Sequence, residues 1–453
     1  MRKEARFCKH LLRTLWMPWR NQYLFDEVTD PRARRGRRWQ MWGVLTRALF
    51  SLCTCRSSLA SMEDLSKELS PALCKAFGLR QGRVSDNTFG RILALVDWRE
   101  LQWRLWWMVR GIRERHQIEH DQLPFRTAAL DGKWLYSSKK KMSQYAHGRR
   151  CLVADDKGGY ERSTRWALQM LRMVTTSTRQ RLCFWQEPVP SGTGESRAAQ
   201  SAVSFLRRMD KCKELVELLT FDAGFLYYEF VSAVRKSGRH WLGTLKANQP
   251  NLYAEARCRF DPKRRGAPEY ESDLVKDHEF YKRYLIWRDA GIAGWELGDR
   301  KGADLAQIWR VEVVRYKRKG SGRGANADLV EHSRHHRYFA TSIPAGEVNA
   351  KQCLTLVRSH WSIEDDVFNP LDCQWEEDCN FRHSSMESAL ALSFLRLMAL
   401  NICTMYRYKK PVRERWDKKL IWMRWKQVFD FFRGAFRGRY PAYVIRSEKL
   451  LTT

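Results

Sequence analysis

The chain has 453 residues, with 82 lysines and arginines against 51 aspartates and glutamates, a formal charge of +31 and a pI near 9.9. Its 44% hydrophobic and 13% aromatic content excludes a largely disordered chain, and only 26 glycines and 13 prolines exclude collagen-like and low-complexity classes. The most apolar stretch, 389–406, is interrupted by Ser393, Arg396 and Asn401, so no membrane span is expected, and the basic start runs into no apolar segment of signal-peptide length before Arg13.

The length predicts two or three domains. Residues 1–120 read as helical. Residues 39–53 form an apolar run without proline, and 61–68 and 71–77 carry short helical patterns. In 84–95, Ser85 is placed to cap a helix whose Phe89, Ile92 and Leu93 share a face. With Gly82 in a turn before it, this segment reads as a helix-turn-helix or as part of an ordinary helical bundle. Residues 98–113 predict a further helix carrying Trp98, Trp103, Trp106 and Trp107.

From about residue 121 the pattern changes. Strand-like runs at 127–130, 166–173, 182–186, 215–221 and 240–245 alternate with helical patterns at 196–209 and 225–236, which predicts a mixed α/β core over 121–250. Residues 251–345 predict a β-rich insertion with strands at 279–287, 307–317 and 337–343. Residues 346–406 resume the core, with helices predicted at 348–368 and 386–406 and Pro370 ending or kinking the first. Residues 407–453 predict a basic, aromatic C-terminal tail, in which Trp416, Leu420, Trp422, Met423, Val428 and Phe431 give 412–436 an apolar helical face.

The basic excess gathers at the ends. Residues 1–60 hold 13 lysines and arginines against four acids, and 407–449 hold 14 against four, both interleaved with aromatics. Such surfaces suit phosphate contacts with base stacking. The charge inverts once: 359–381 contains no lysine or arginine but seven acids, Glu364, Asp365, Asp366, Asp372, Glu376, Glu377 and Asp378. Seven carboxylates together repel unless cations neutralise them, so the segment reads either as an acidic loop paired with the basic surface or as a divalent-metal site, since hard oxygen donors suit Mg²⁺. Asp131 and Asp222 each follow a strand, where acids open into the ligand crevice of an α/β sheet. The twelve cysteines form no Cys-x-x-Cys pair and read as reduced, small apolar residues of a cytosolic protein. Cys373, Cys379 and His383 supply three corners of a zinc site at most, with no second cysteine pair.

Several runs together resemble the bacterial insertion-sequence transposases of the DDE type. They are Asp30-Pro31-Arg32-x-x-Arg35-Gly36, Ser85-x-x-Thr88-Phe89-x-Arg91, Leu130-Asp131-Gly132-Lys133, Asp222-Ala223-Gly224, Leu245-Lys246-Ala247-Asn248-Gln249-Pro250 and Arg358-Ser359-His360-Trp361-Ser362-Ile363-Glu364. Many such enzymes carry Tyr, Arg and Lys around the glutamate where this chain has Val357, His360 and Leu371, so the resemblance is to the subgroup with a His-Trp-x-Ile-Glu run.

The resemblance implies an RNase H-like core interrupted by the β-rich insertion, with an all-α N-terminal domain. It implies catalytic, metal-binding acids at Asp131, Asp222 and Glu364, two Mg²⁺ ions for which Mn²⁺ substitutes, and a double-stranded DNA substrate comprising the element ends and the target. Lys133, Lys246, Arg358, His360, Ser85, Asn87 and Arg91 are the expected DNA contacts, and Asp372–Asp378 a second acidic patch without ligands. It further implies work in the bacterial cytoplasm on the nucleoid and self-association on DNA, as a dimer. An inactive, transposase-derived DNA-binding protein is the alternative reading.

Overall fold

The computed structural model describes residues 2–17, 22–115, 118, 123–138, 141, 143–154, 159–295, 304–318, 329–378, 385–409, 412–413, 420–421 and 424–439. Cys379 and His383 of the zinc reading, with Trp416, Trp422 and Met423, lie outside them.

The N-terminal region is built of α1 (Arg2–Leu15), a short ladder of β1 (Trp16–Met17) and β2 (Gln22–Tyr23), α2 (Met41–Cys53), α3 (Leu59–Glu68), α4 (Pro71–Ala76), α5 (Asp86–Leu95) and α6 (Trp98–Glu114). Side chains set the helix starts. Ser58, Ser70, Ser85 and Asp97 each accept a backbone N–H of the first turn, and Pro71 stands where no N–H partner is needed. The connection 77–85 is longer than the three-to-four-residue turn of a helix-turn-helix. Gly78 (φ +63°) and Gly82 (φ +121°) make two turns within it. The inner face of α5 (Phe89, Gly90, Ile92 and Leu93) is buried, and Asn87, Arg91 and Leu95 face outward.

The core strands and helices follow: β3 (Thr127–Ser138), β4 (Ala146–Ala154), β5 (Tyr160–Thr175), β6 (Cys183–Pro188), α7 (Glu195–Met209), β7 (Leu218–Phe221), α8 (Tyr228–Lys236), β8 (His240–Leu245) and α9 (Pro250–Arg259). Next come β9 (Tyr270–Glu271), β10 (Val275–Asp277), β11 (Phe280–Asp289), β12 (Gln307–Arg318) and β13 (Leu329–Thr341). One sheet runs in the order β10-β11-β12-β13-β8-β7-β3-β5-β4, with β6 on β5 and β9 on β11. Only β3–β7 and β7–β8 are parallel pairs; the others are antiparallel. This mixed sheet with its helices is the RNase H-like core. The inserted strands do not form a separate layer, because β13 pairs with β8 (Tyr338 opposite Leu245) and extends the same sheet.

The chain closes with α10 (Ala350–His360), a π-helical turn (Glu364–Phe368), α11 (Asn369–Trp375), α12 (Met386–Lys409), a ladder of β14 (Val412–Arg413) and β15 (Leu420–Ile421), and α13 (Trp425–Phe436). Two expectations are corrected here. Pro370 does not end a helix; it occupies the first turn of α11, a position that tolerates a missing N–H, and the helix ends at Glu376 in a left-handed turn (φ 49°). Likewise α13 does not begin near 412 and is no tail. Its Phe431, Phe432 and Phe436 ring-pack with Phe7, and its Phe429 packs on Trp375. The helix α12 is long and apolar enough to cross a membrane, but it is almost wholly buried in the core, where α2, α5 and α6 pack on it. A second apolar cluster under α10 holds Ile286, Trp309, Phe339 and Leu356.

Candidate active site

Register brings the first two acids together. In the parallel pair β3–β7, Leu130 lies opposite Phe221, so Asp131 and Asp222 follow side by side. Asp222 follows the end of its strand as expected, but Asp131 does not, because β3 runs on to Ser138 with Asp131 paired to Arg172 of β5. Phe221 also faces Gly243 of β8, where a Cβ would come within 2.5 Å of its ring; glycine lets the strands close there. The residue after it, Thr244, donates from Oγ1 to Asp222 Oδ1 at 3.4 Å. Glu364 arrives from the other side, as the first residue of the π-helical turn after α10. A π turn offsets its first residue from the α-helical ladder, a local geometry common at functional sites.

His360, expected as a DNA contact, is instead 7% exposed and lies among these acids. Its Nε2 is 3.7 Å from Asp222 Oδ1 and its Nδ1 is 3.0 Å from Thr220 Oγ1. That imidazole is the main reason the Asp222 carboxyl is held below the usual range, with Lys246 and Thr244 helping. Asp131 behaves oppositely. Burial first, then the charges of Asp222 and Glu364, push its pKa up to about 7 against the pull of His360 and of the Gly132 N–H. Its cross-strand neighbour Arg172 gives it no relief. That guanidinium is bound to Glu377 by two hydrogen bonds of 2.9 and 2.8 Å, and both side chains are fully buried. Desolvation, Asp372 and Asp365 raise the Glu364 carboxyl, opposed by Lys133 and His360.

The remaining expected contacts lie in varied settings. Lys133 forms an ion pair with Asp372 and lies over the Phe368 ring, so its charge faces the acids. Lys246 is exposed beside Asp222. Arg358 stacks on Tyr284 at 4.8 Å and lines a groove of about 380 Å³ with Arg315, Arg337 and Trp361. Ser85 is the cap of α5, while Asn87 and Arg91 are exposed on its outer face. These three stand on a helix remote in sequence from the acids. Asp372 and Glu377 are not an open acidic patch, since each is engaged by a core cation.

Glu195, at the start of α7, joins the site without a motif to announce it. Its carboxylate occupies the space that a side chain at Gly132 would fill, and it accepts from Gln169. Burial raises its pKa, and the Asp222 charge adds to that. The Gly-Thr-Gly-Glu turn before α7 signals a helix start, but not that its acid reaches the site.

The donor set fits a hard divalent cation. It is all oxygen, and the pKa of its most buried member, Asp131, is raised first by burial and then by the charges of Asp222 and Glu364, which a cation would relieve. Among the described residues, however, no three acid, histidine or cysteine side chains yet stand at ligand distance from one point.

Residues 127–402 match the transposase DDE domain family, and residues 23–108 match a domain described as associated with it. The chain therefore belongs to the DDE transposase family, whose chemistry is divalent-metal-dependent cutting and transfer of DNA strands. No curated protein matches the chain at a significant level.

Proposed function

We propose that this chain is the transposase of a bacterial insertion sequence, of the subgroup with a His-Trp-x-Ile-Glu run, acting in the cytoplasm on the nucleoid. It cleaves the element's ends and transfers the freed 3′-hydroxyl into target DNA. The observation that supports the reading is the register of β3 and β7, which sets Asp131 beside Asp222, with His360, four residues before Glu364, 3.7 Å from Asp222 Oδ1. Residues 1–120 recognise the ends; 121–250 with 346–406 carry the chemistry; the strands of 251–345 hold DNA beside it.

Asp131, Asp222 and Glu364 are the residues that would hold two Mg²⁺ ions, which would supply activation of a water or 3′-hydroxyl and charge relief at the leaving 3′ oxygen. The chain's own part is to set up that site. Arg172–Glu377 fixes β5 behind Asp131, keeping its carboxylate available. His360 orients Asp222 through the bond to Thr220 and the approach to Oδ1. Lys246 and Arg358 offer their charges to the phosphates on either side. Strand transfer exchanges one phosphodiester for another, so no nucleotide is consumed.

The test is incubation of labelled end DNA with the full chain, with Mg²⁺ and with chelator. Nicking at the 3′ ends is expected only with Mg²⁺. Asp131→Asn, Asp222→Asn and Glu364→Gln should each lower cleavage at least about 10²–10³-fold, the order of one lost electrostatic stabiliser of a transition state, while binding persists. Near-wild-type cleavage by any one variant removes that residue from the site; binding without cleavage by the wild type supports the inactive DNA-binding protein instead.

A further inference from the structure

The loop before α2 carries five arginines in seven positions, Arg32, Arg34, Arg35, Arg37 and Arg38. Two of them are spent inside the loop. Arg32 grips Asp30 with two hydrogen bonds, 2.9 and 2.8 Å, and donates to the Trp39 carbonyl at 2.7 Å. Arg37 donates to the Arg32 carbonyl at 2.7 Å and the Asp30 carbonyl at 2.8 Å. These bonds staple the loop into one conformation and use up its only acid. Arg34, Arg35 and Arg38 stay exposed, with no carboxylate partner among the described residues.

Trp39 closes the loop and lies nearly buried under a crowd of cations. The guanidinium carbons of Arg47, Arg80 and Arg38 stand 5.2, 5.6 and 6.0 Å from its ring. Arg80 also donates to the Arg38 carbonyl at 3.3 Å, and Arg47 to the Arg80 carbonyl. The turn at Gly82 passes close above the indole; a Cβ there would sit 3.4 Å from it. On one side of Trp39 lies a groove of about 810 Å³, walled by Arg38, Arg80 and, on α5, Arg91. On the other is a groove of about 400 Å³ that shares Arg38, Trp39 and Arg80. No acid lines either groove.

A merely solvated basic face does not need this construction. Long cations on an open surface spread apart, because like charges repel; here Arg38, Arg47 and Arg80 are drawn onto one ring, and Arg47 and Arg80 are anchored through backbone carbonyls. Anchoring reduces the side-chain entropy lost on binding, and guanidinium forks match phosphate oxygens.

We propose that the loop 30–39, the turn 80–83 and the outer face of α5 form a prebuilt groove for the sugar-phosphate backbone of double-stranded DNA, with Arg38, Arg80 and Arg91 as its phosphate contacts. This rests on the transposase reading and assigns the backbone-holding role to the loops, leaving α5 to present Asn87 to the groove edge. The apolar rim at Leu95, 46% exposed, lies against the sugars.

The experiment is fluorescence anisotropy of the full chain with labelled end-DNA duplex, in chelator so that nothing is cut, over a range of salt. Arg38→Gln/Arg80→Gln/Arg91→Gln is compared with wild type and with a control, Lys211→Gln/Lys236→Gln/Lys351→Gln, which removes equal charge elsewhere. Circular dichroism checks that each is folded. The groove variant should lower the slope of log K against log salt by about 2–3, near 0.9 for each phosphate no longer neutralised, with affinity falling at least about 100-fold at moderate salt. The control should stay within about one unit of wild type. A folded groove variant with the wild-type slope, or a control that loses as much, overturns the groove. If such a variant binds normally while the wild type cleaves in Mg²⁺, the groove fails and the transposase reading stands. If binding is lost as expected but the wild type never cleaves, the groove stands and that reading fails. A wild type that prefers polyglutamate or anionic vesicles to duplex overturns the groove too.

Discussion

Glu312 meets three arginines at once. Its side chain is 1% exposed, it accepts from Arg310 at 2.9 Å and Arg334 at 3.0 Å, and Arg265 lies 2.8 Å away. Burial alone would raise its pKa, but Arg310 above all, then Arg334 and Arg265, bring it below the ordinary range. A carboxylate with a lowered folded pKa binds its proton first in the unfolded chain. Its stabilisation is therefore complete above the unfolded value, about 4.3, and is lost as pH falls through the folded one. Glu312→Gln leaves three guanidinium groups facing a neutral amide. The expected cost at neutral pH is about 3–5 kcal/mol, the usual effect of breaking a buried ionic cluster by removing one partner. Urea unfolding should show the gap between wild type and variant narrowing as pH drops below about 4. A gap that stays constant to pH 3 would show that the cluster's charge contributes nothing.

At the level of elements, the inserted segment divides three tryptophans by exposure, Trp287 on β11, Trp309 on β12 and Trp295 in the turn after β11, and this decides which has a face open to a base. Trp309 is fully buried beneath α10, and Trp287 is 4% exposed, covered by Arg265 at 4.4 Å and donating to the Gly266 carbonyl. Trp295 is 36% exposed. Trp309→Ala should therefore cost about 3–5 kcal/mol, with Trp287→Ala close behind, and Trp295→Ala should leave the melting temperature within a few degrees. A melt in which Trp309→Ala is unchanged would contradict this packing. Periodicity alone ranks the three alike, because what separates them is pairing between distant strands. The same limit applies elsewhere. The patterns at 196–209 and 240–245 predict α7 and β8 almost residue for residue, since those segments carry strong local periodicity and clear boundaries. The break after His360 was not legible, because an unbroken helical pattern does not reveal a change from α to π pitch. Of the candidate site, Asp131, Asp222 and Glu364 are singled out by several short runs whose order and spacing together resemble the family, not by any one motif. The embrace of Lys133 by Asp372, the approach of Glu195 to Gly132 and the capture of Arg172 by Glu377 were not legible, because each joins residues far apart in sequence.

For the whole molecule, charge decides how copies meet. Of the apolar face read over 412–436, the described part of α13 packs within one chain: Phe431 packs on Phe7 and Tyr406, and Val428 is fully buried. What remains outside is the +31 excess, carried in part by the arginine loop and the outer face of α5. Two such surfaces repel at short range, and physiological salt screens them only beyond about 8 Å. Duplex DNA reverses the sign of the problem, because its phosphates neutralise each chain and release counterions on binding. On the proposed function, joining two element ends to one target calls for an active site at each end, and each chain would bring one set of Asp131, Asp222 and Glu364. The free protein should therefore scatter light as a single 53.7 kDa chain, and a complex with paired end DNA should contain two. Raising salt should dissolve the two-chain complex without unfolding either chain. A stable dimer free of DNA, or strand transfer of both ends by a single chain, would refute this assembly.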